Sequence, residues 1–208
     1  MAPKRCWLLK SEPASYSIEM LEEDGRTTWE GVRNYQARNF LREMKVGDRV
    51  LFYHSNAEPP GVAGLAQVVH EAYPDPFAFD PASKYFDPDS KTDDPRWSMV
   101  DLGFVERFDE PVPLPVLRAD PALEGMELLR KGSRLSVQPV TERQYDRVVQ
   151  LARERFAGIP AAAPKPRARG AAAPKAKAKP QAKAKAVTKP KARATKSAPK
   201  SKPTRTRK

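Results

Sequence analysis

Cysteine, histidine and long apolar runs are nearly missing from this chain. Cys6 is the one cysteine in 208 residues, so no intramolecular disulfide can form and a paired-cysteine metal knuckle is excluded. A reducing compartment is the expected setting. Two histidines, His54 and His70, are too few for a zinc site, and no cofactor is expected. No apolar run approaches the ~20 residues of a membrane span, and Met1 to Lys10 is short and charged, unlike a secretory leader. A soluble, intracellular protein without a membrane partner is expected.

Acidic residues are also absent from one region. Residues 159–208 carry seventeen Lys or Arg and no Asp or Glu, leaving 21 basic against 26 acidic side chains in residues 1–158. The net charge of +12 therefore belongs to the C-terminal arm, and the rest of the chain is mildly acidic. Any polyanion meets the arm first. No aromatic follows Phe156, and Pro recurs every few residues among Lys, Arg and Ala. The expected organisation is one domain over residues 1–157 and a disordered basic tail over residues 158–208.

Within residues 1–157, "RCWLLK" reads as a short strand ended by Pro13. "SIEMLEED" reads as a short helix capped by Ser17 and stopped at Gly25. Arg49 to His54 is a predicted central strand. A second runs from about Val62 to Ala72, with Gly64 as a bulge or a point of close approach. Pro74 to Pro95 reads as a long ordered loop pinned by Phe77, Phe79, Tyr85 and Phe86, and loops of that length usually carry function. "RWSMVDLGFVERFDEPVPL" reads as one long strand, "PVLRADPALEGMELLRKG" as short helical turns, and "RLSVQPV" as a final strand. A last helix follows Thr141, where "TERQ" has capping-box form. Short strands interleaved with short helices, without repeating βαβ units, predict a small mixed barrel of α+β type.

The stretch Thr27 to Glu43, "TTWEGVRNYQARNFLRE", is unusual. At 100° per residue, Ala37, Phe40, Leu41 and Met44 share one face, and Tyr35, Arg38, Asn39 and Arg42 share the other. If Asn34 caps the helix, Tyr35 sits in its first turn and Trp29 in the loop before it, beside amides that favour anions. A tyrosine with arginines and an asparagine is the chemistry of a nucleic-acid surface: guanidinium meets phosphate or stacks on a base, and the ring is a stacking platform. Packing of Trp29 or Tyr35 under a neighbouring loop is the alternative.

Enzyme signatures are absent. His54 and Ser55 are adjacent in an extended strand and point to opposite faces, so they cannot act as base and nucleophile to each other. "DPDSKTDD", Asp87 to Asp94, has Lys91 at the fifth place of a calcium loop and lacks the Gly and Glu such a loop needs. "GVAG" is no phosphate loop.

The segments "WLLKSEP", "WEGVRNYQARNFLREMKVGDRVLFYHS", "GVAGLAQVV", "AYPDPFAFDP", "WSMVDLGF" and "RLSVQPV", in unbroken order over about 150 residues, resemble the EVE domain family of the PUA-like superfamily. The resemblance implies a PUA-like mixed β-barrel flanked by short helices, with a pocket for a modified base of DNA or RNA. YTH domains of the same superfamily hold a methylated base in an aromatic cage. Carried over by position, the resemblance implies a base pocket of Lys10, Ser11, Trp29, Asn34, Tyr35, His54, Ser55, Ser136 and Gln138, with Trp7 and Trp97 as wall or core. Arg33, Arg38 and Arg42 are candidate phosphate contacts or solvated surface. The function expected is that of a noncatalytic reader of a modified nucleobase, acting as a monomer, with the tail holding the phosphate backbone. A linker-histone-like DNA-compacting protein and a base-modifying or base-removing enzyme are the alternatives. The expected location is cytoplasmic, at the nucleoid in a bacterium or in the nucleus of a eukaryote.

Overall fold

The computed structural model describes residues 4–154, so the proposed tail and the boundary before it lie outside the described residues. The first strand, β1 (Cys6–Ser11), alternates between two cores: Cys6 and Leu8 belong to one, Trp7 and Leu9 to the other. A strand buried on both faces must lie inside a sheet. It does, pairing in parallel with β3 (Arg49–His54) and antiparallel with β6 (Val137–Val140). Antiparallel neighbours continue the sheet outward from β3 through β4 (Gly61–Pro74) and β5 (Ser98–Pro113) to β2 (Arg26–Trp29), giving the order β2-β5-β4-β3-β1-β6.

This sheet is open, which corrects the barrel expected from the sequence and from the resemblance. Its two edge strands, β2 and β6, have four residues each and pair only with β5 and β1. Helix α2 (Tyr35–Glu43) packs against β4, β5 and β6, and its Ala37 and Leu41 enter the same core as Met44, Val100 and Val137. Side-chain packing against a helix thus stands where a closing ladder of hydrogen bonds would be. Trp29, expected in a loop, is the last residue of a strand because Thr27 to Trp29 pair with Val100 to Leu102 of β5.

Local signals in the sequence set the other boundaries. Helix α1 (Ile18–Asp24) starts where Ser17 accepts from the Met20 amide and ends at Gly25, in the left-handed conformation at φ 67°. Asn34 caps α2 by accepting from the Ala37 amide. Helix α3 (Leu114–Ala119) is followed by two 3₁₀ turns, and α4 (Glu142–Arg153) begins with the expected capping box of Thr141 and Gln144. At Gly64 the β3–β4 and β4–β5 registers shift, and a Cβ there would lie 2.5 Å from the Glu106 carbonyl oxygen. Both readings of that glycine hold.

Helices α1 and α2 cover one face of the sheet, over Trp7, Leu9, Val50 and Phe52; α3 and α4 cover the other, over Leu8, Leu51 and Tyr53. Among the described residues no helix is long and apolar enough to cross a membrane.

Candidate nucleic-acid site

Alternation along β1 and β3 separates the candidates into two groups. Ser11 pairs with His54, and Lys10 with Tyr53. Counting from Trp7 and Leu9, and from Val50 and Phe52, Ser11 and His54 fall on the α1/α2 face, whereas Lys10 and Tyr53 fall on the α3/α4 face. Consecutive residues of "KS" therefore serve opposite sides of one sheet.

On the α1/α2 face, half-buried Trp29 meets Phe52 edge-on at 5.6 Å, and Phe52 meets His54 at 5.7 Å. Ser11 Oγ donates to the Tyr16 carbonyl at 2.6 Å, and Ser55 donates to the Ser11 carbonyl through its amide at 2.8 Å and its hydroxyl at 3.1 Å. His54 Nε2 accepts from the amide of Ile18, the first residue of α1, at 3.1 Å. Its proton therefore sits on Nδ1. Burial pulls the His54 pKa below its ordinary value, with Glu19 acting in the opposite direction. Tyr16, lining the same side, donates to Asp24 at 2.9 Å. Burial is the main reason its pKa is pushed up to about 12.

The turn between Trp29 and α2 is held by a buried carboxylate. Asp75 Oδ2 accepts from the Gly31 amide at 3.0 Å and from Arg33 Nη1 at 2.7 Å, and Asp75 Oδ1 accepts from the Phe77 amide. Gly31 has φ 79°, and a Cβ there would overlap the Tyr85 ring. Arg33 also donates to the Tyr85 carbonyl through Nε and Nη2. Its guanidinium lies 5.5 Å from the Tyr85 ring centroid and 5.4 Å from that of Trp97. Tyr35 stacks on Trp97 at 5.0 Å and 29°, with Arg38 over the Tyr35 ring at 5.0 Å. A continuous column of rings and guanidinium groups, Tyr85, Arg33, Trp97, Tyr35 and Arg38, fastens the long loop to α2.

The other candidates are placed as follows. Trp7 is 2% exposed and donates its indole to Asp48 at 2.9 Å, so of wall and core it occupies the core. Trp97 is also buried, its indole donated to Asp87 at 2.6 Å; that bond, first among several causes, holds Asp87 below the usual carboxylate range. Arg42 donates to Ser98 Oγ and the Pro95 carbonyl. Ser136 contributes its carbonyl to the Lys10 amide at 2.8 Å. Gln138 is buried on β6, donates to the Leu135 carbonyl at 3.0 Å, and leaves its Oε1 without a hydrogen-bond partner among the described residues. Asn34 and Tyr35 are exposed. Asn34 spends Oδ1 on the Ala37 amide at 3.0 Å; its Nδ2 has no partner among the described residues.

The structure thus joins Ser11 to Ser55 beside His54 at the ends of β1 and β3, with Phe52 standing between His54 and Trp29, and separately gathers Arg33, Tyr35, Arg38 and Trp97, while Lys10 and Gln138 belong elsewhere. Asp75, which positions the turn, was missed because its partners Gly31 and Arg33 lie more than forty residues away, while Tyr85, expected among the aromatics that pin the long loop, also holds Arg33. No group of three or more His, Cys, Asp or Glu that could hold a metal ion occurs among the described residues.

The EVE domain profile matches residues 5–151. The chain belongs to the EVE domain family. This EVE protein is 44% identical over 164 residues to thymocyte nuclear protein 1 of Homo sapiens, with 70% of the chain and 72% of the relative covered. Among solved structures, it is similar to a hypothetical protein from Leishmania major at 47% identity and a TM-score of 0.71, covering 74% of this chain and 97% of that one. A crystal structure of human THYN1 protein in complex with 5-methylcytosine containing DNA is 43% identical, with a TM-score of 0.67 and 72% and 98% of the two chains covered. The names also correct the expected cytoplasmic location, since relatives in Homo sapiens, Mus musculus and Gallus gallus are all named as nuclear proteins.

Proposed function

We propose that this EVE domain is a noncatalytic reader of modified cytosine in DNA, acting as a monomer and taking the base against Trp29 at the ends of β1 and β3. The likeness to human THYN1, whose crystal structure is in complex with 5-methylcytosine containing DNA, carries the reading. Chemistry at this place supports it. Trp29 is half-buried, packs on the core and lies perpendicular to Phe52; in this reading its outer side stacks on the base, an interaction of ~1–3 kcal/mol. Asn34 Nδ2 can donate to a ring nitrogen or carbonyl of the base, and Ser11 Oγ, already donating to Tyr16, can accept from an exocyclic amino group.

A methyl group filling an apolar gap distinguishes the modified base by about 1–3 kcal/mol. Taking the base out of the stack costs a few kcal/mol, an amount that stacking and two hydrogen bonds can offset. Arg38 and Arg42 meet the flanking phosphates in this reading. Arg33 is turned inward to Asp75 and stays structural. The basic residues of 159–208 add affinity through counterion release without choosing the base.

The test is a fluorescence-anisotropy titration of the full chain with a DNA duplex carrying one 5-methylcytosine and with its unmodified twin. The modified duplex binds more tightly by roughly 5-fold to 150-fold, equivalent to 1–3 kcal/mol. Equal affinities would remove the proposal.

A further inference from the structure

On the α3/α4 face, behind Ser11 and His54, lies a cleft of about 550 Å³. Lys10 and Tyr53, neighbours across the parallel β1–β3 pair, lie at its base; α3 contributes Arg118 and the turn around residues 128–133 contributes Arg130 and Lys131. Four cations line the cleft and no carboxylate does. One of the four, Arg130, has a carboxylate partner, Glu127 at 3.7 Å.

What sets these charges apart is that they converge on one cleft with no carboxylate in its lining. Arg5, Arg33, Arg49, Arg96, Arg107 and Arg147 all pair with carboxylates. Lys10, Arg118 and Lys131 have neither an ion pair nor a side-chain hydrogen bond among the described residues. Converging like charges repel, and an anion between them would reverse that cost. Burial of Lys10, which lowers its pKa despite Glu127, places one of the charges where water screens it less.

We propose that this cleft receives a backbone phosphate of the same DNA strand whose base lies against Trp29 on the opposite face, so that the strand turns around the C-terminal ends of β1 and β3. The proposal rests on the base-reading function above. Lys10 and Ser11 are one residue apart, a rise of about 3.3 Å along the strand, and their side chains leave the sheet in opposite directions. A nucleotide with its base on the Ser11 side has its neighbouring phosphate at the strand ends, within reach of Lys10. Guanidinium groups take phosphate oxygens in pairs and lysines act as point charges. The volume lies within the ~300–1,000 Å³ of small-ligand sites. With Tyr53 as its one aromatic and no carboxylate to read an amino group, the lining suits a phosphate rather than a second base.

The test compares the full chain with its R118Q/K131Q variant on the modified and unmodified duplexes over a salt series. Both side chains are exposed, so the fold is retained; Lys131→Gln alone is the milder second variant. A control variant, K45Q/K91Q, removes the same charge elsewhere. The expected result is weaker binding of both duplexes by R118Q/K131Q, a plot of log K against log salt shallower by about 0.9 than wild type, the value for one lost phosphate contact, and an unchanged preference for the modified base. Lys131→Gln gives about half that change in slope. A slope no shallower than that of K45Q/K91Q overturns the cleft proposal even where the modified base is preferred. If wild type lacks that preference, the base-reading function falls, and the slopes still report on the cleft.

Discussion

The Ile18 amide donates to Nε2 of His54 at 3.1 Å, joining the start of α1 to the end of β3. A protonated imidazole has no lone pair to accept that bond. Burial also holds the folded-state pKa of His54 below 6.5. A depressed folded pKa contributes stability that is fully present above the unfolded value and is lost as pH falls through the folded one. Urea unfolding of wild type against His54→Gln will therefore show a difference that is constant above pH 6.5 and shrinks as the solution is acidified. A difference independent of pH would show that folding does not lower the His54 pKa.

Asp75 is fully buried and accepts from Gly31, Arg33 and Phe77. Asp75→Ala strands the Arg33 charge and two amides, at a cost of about 3–5 kcal/mol. The midpoint of urea unfolding reports the loss. Asp75→Asn, which keeps acceptor capacity but not the charge, will lie between the two.

Gly31→Ala combines a positive φ with overlap of the Tyr85 ring. The backbone penalty alone is about 1–2 kcal/mol. Moving Tyr85 also disturbs the carbonyl that Arg33 holds. Stability falls by more than the backbone term, and the affinity for modified DNA falls with it, because the same turn carries Trp29 and Asn34. Unchanged thermal unfolding would contradict both effects.

Asn34 separates scaffold from recognition. Aspartate caps a helix about as well as asparagine, so Asn34→Asp keeps the bond to Ala37 but removes the Nδ2 donor and adds a negative charge. Thermal stability stays within about 0.5 kcal/mol of wild type, while binding of the 5-methylcytosine duplex weakens at least 10-fold. Equal loss from both modified and unmodified duplexes would assign Asn34 to phosphate repulsion instead of base reading.

Removing the Trp29 ring addresses stacking directly. Trp29→Ala lowers affinity for the modified duplex by about 1–3 kcal/mol. Quenching of tryptophan emission on binding will shrink in the variant, since Trp7 and Trp97 are buried. Quenching of full size would place the base elsewhere.

Most element boundaries were readable before folding because they depend on neighbours within a few residues. Ser17 and Gly25 bracket α1, and Thr141 with Gln144 starts α4, through bonds that span three or four positions. The apolar face of α2 followed from helical geometry: Ala37, Leu41 and Met44 are buried, and Phe40 packs beside Trp7 at 6.0 Å. The strand at Thr27–Trp29 was not readable, because its identity depends on β5, more than seventy residues on.

By itself, the sequence determined the positions of most helices and strands, the placing of positive charge in residues 159–208 and the resemblance to the EVE family. Each follows from local periodicity, capping or the order of motifs. Tertiary structure alone decided that the sheet stays open, that Asp75 and Tyr85 hold the Trp29 turn, and that Lys10 parts from Ser11. The reason is physical: capping bonds and side-chain alternation are local, whereas strand pairing, strand closure and buried charge pairing depend on which distant segments share a sheet.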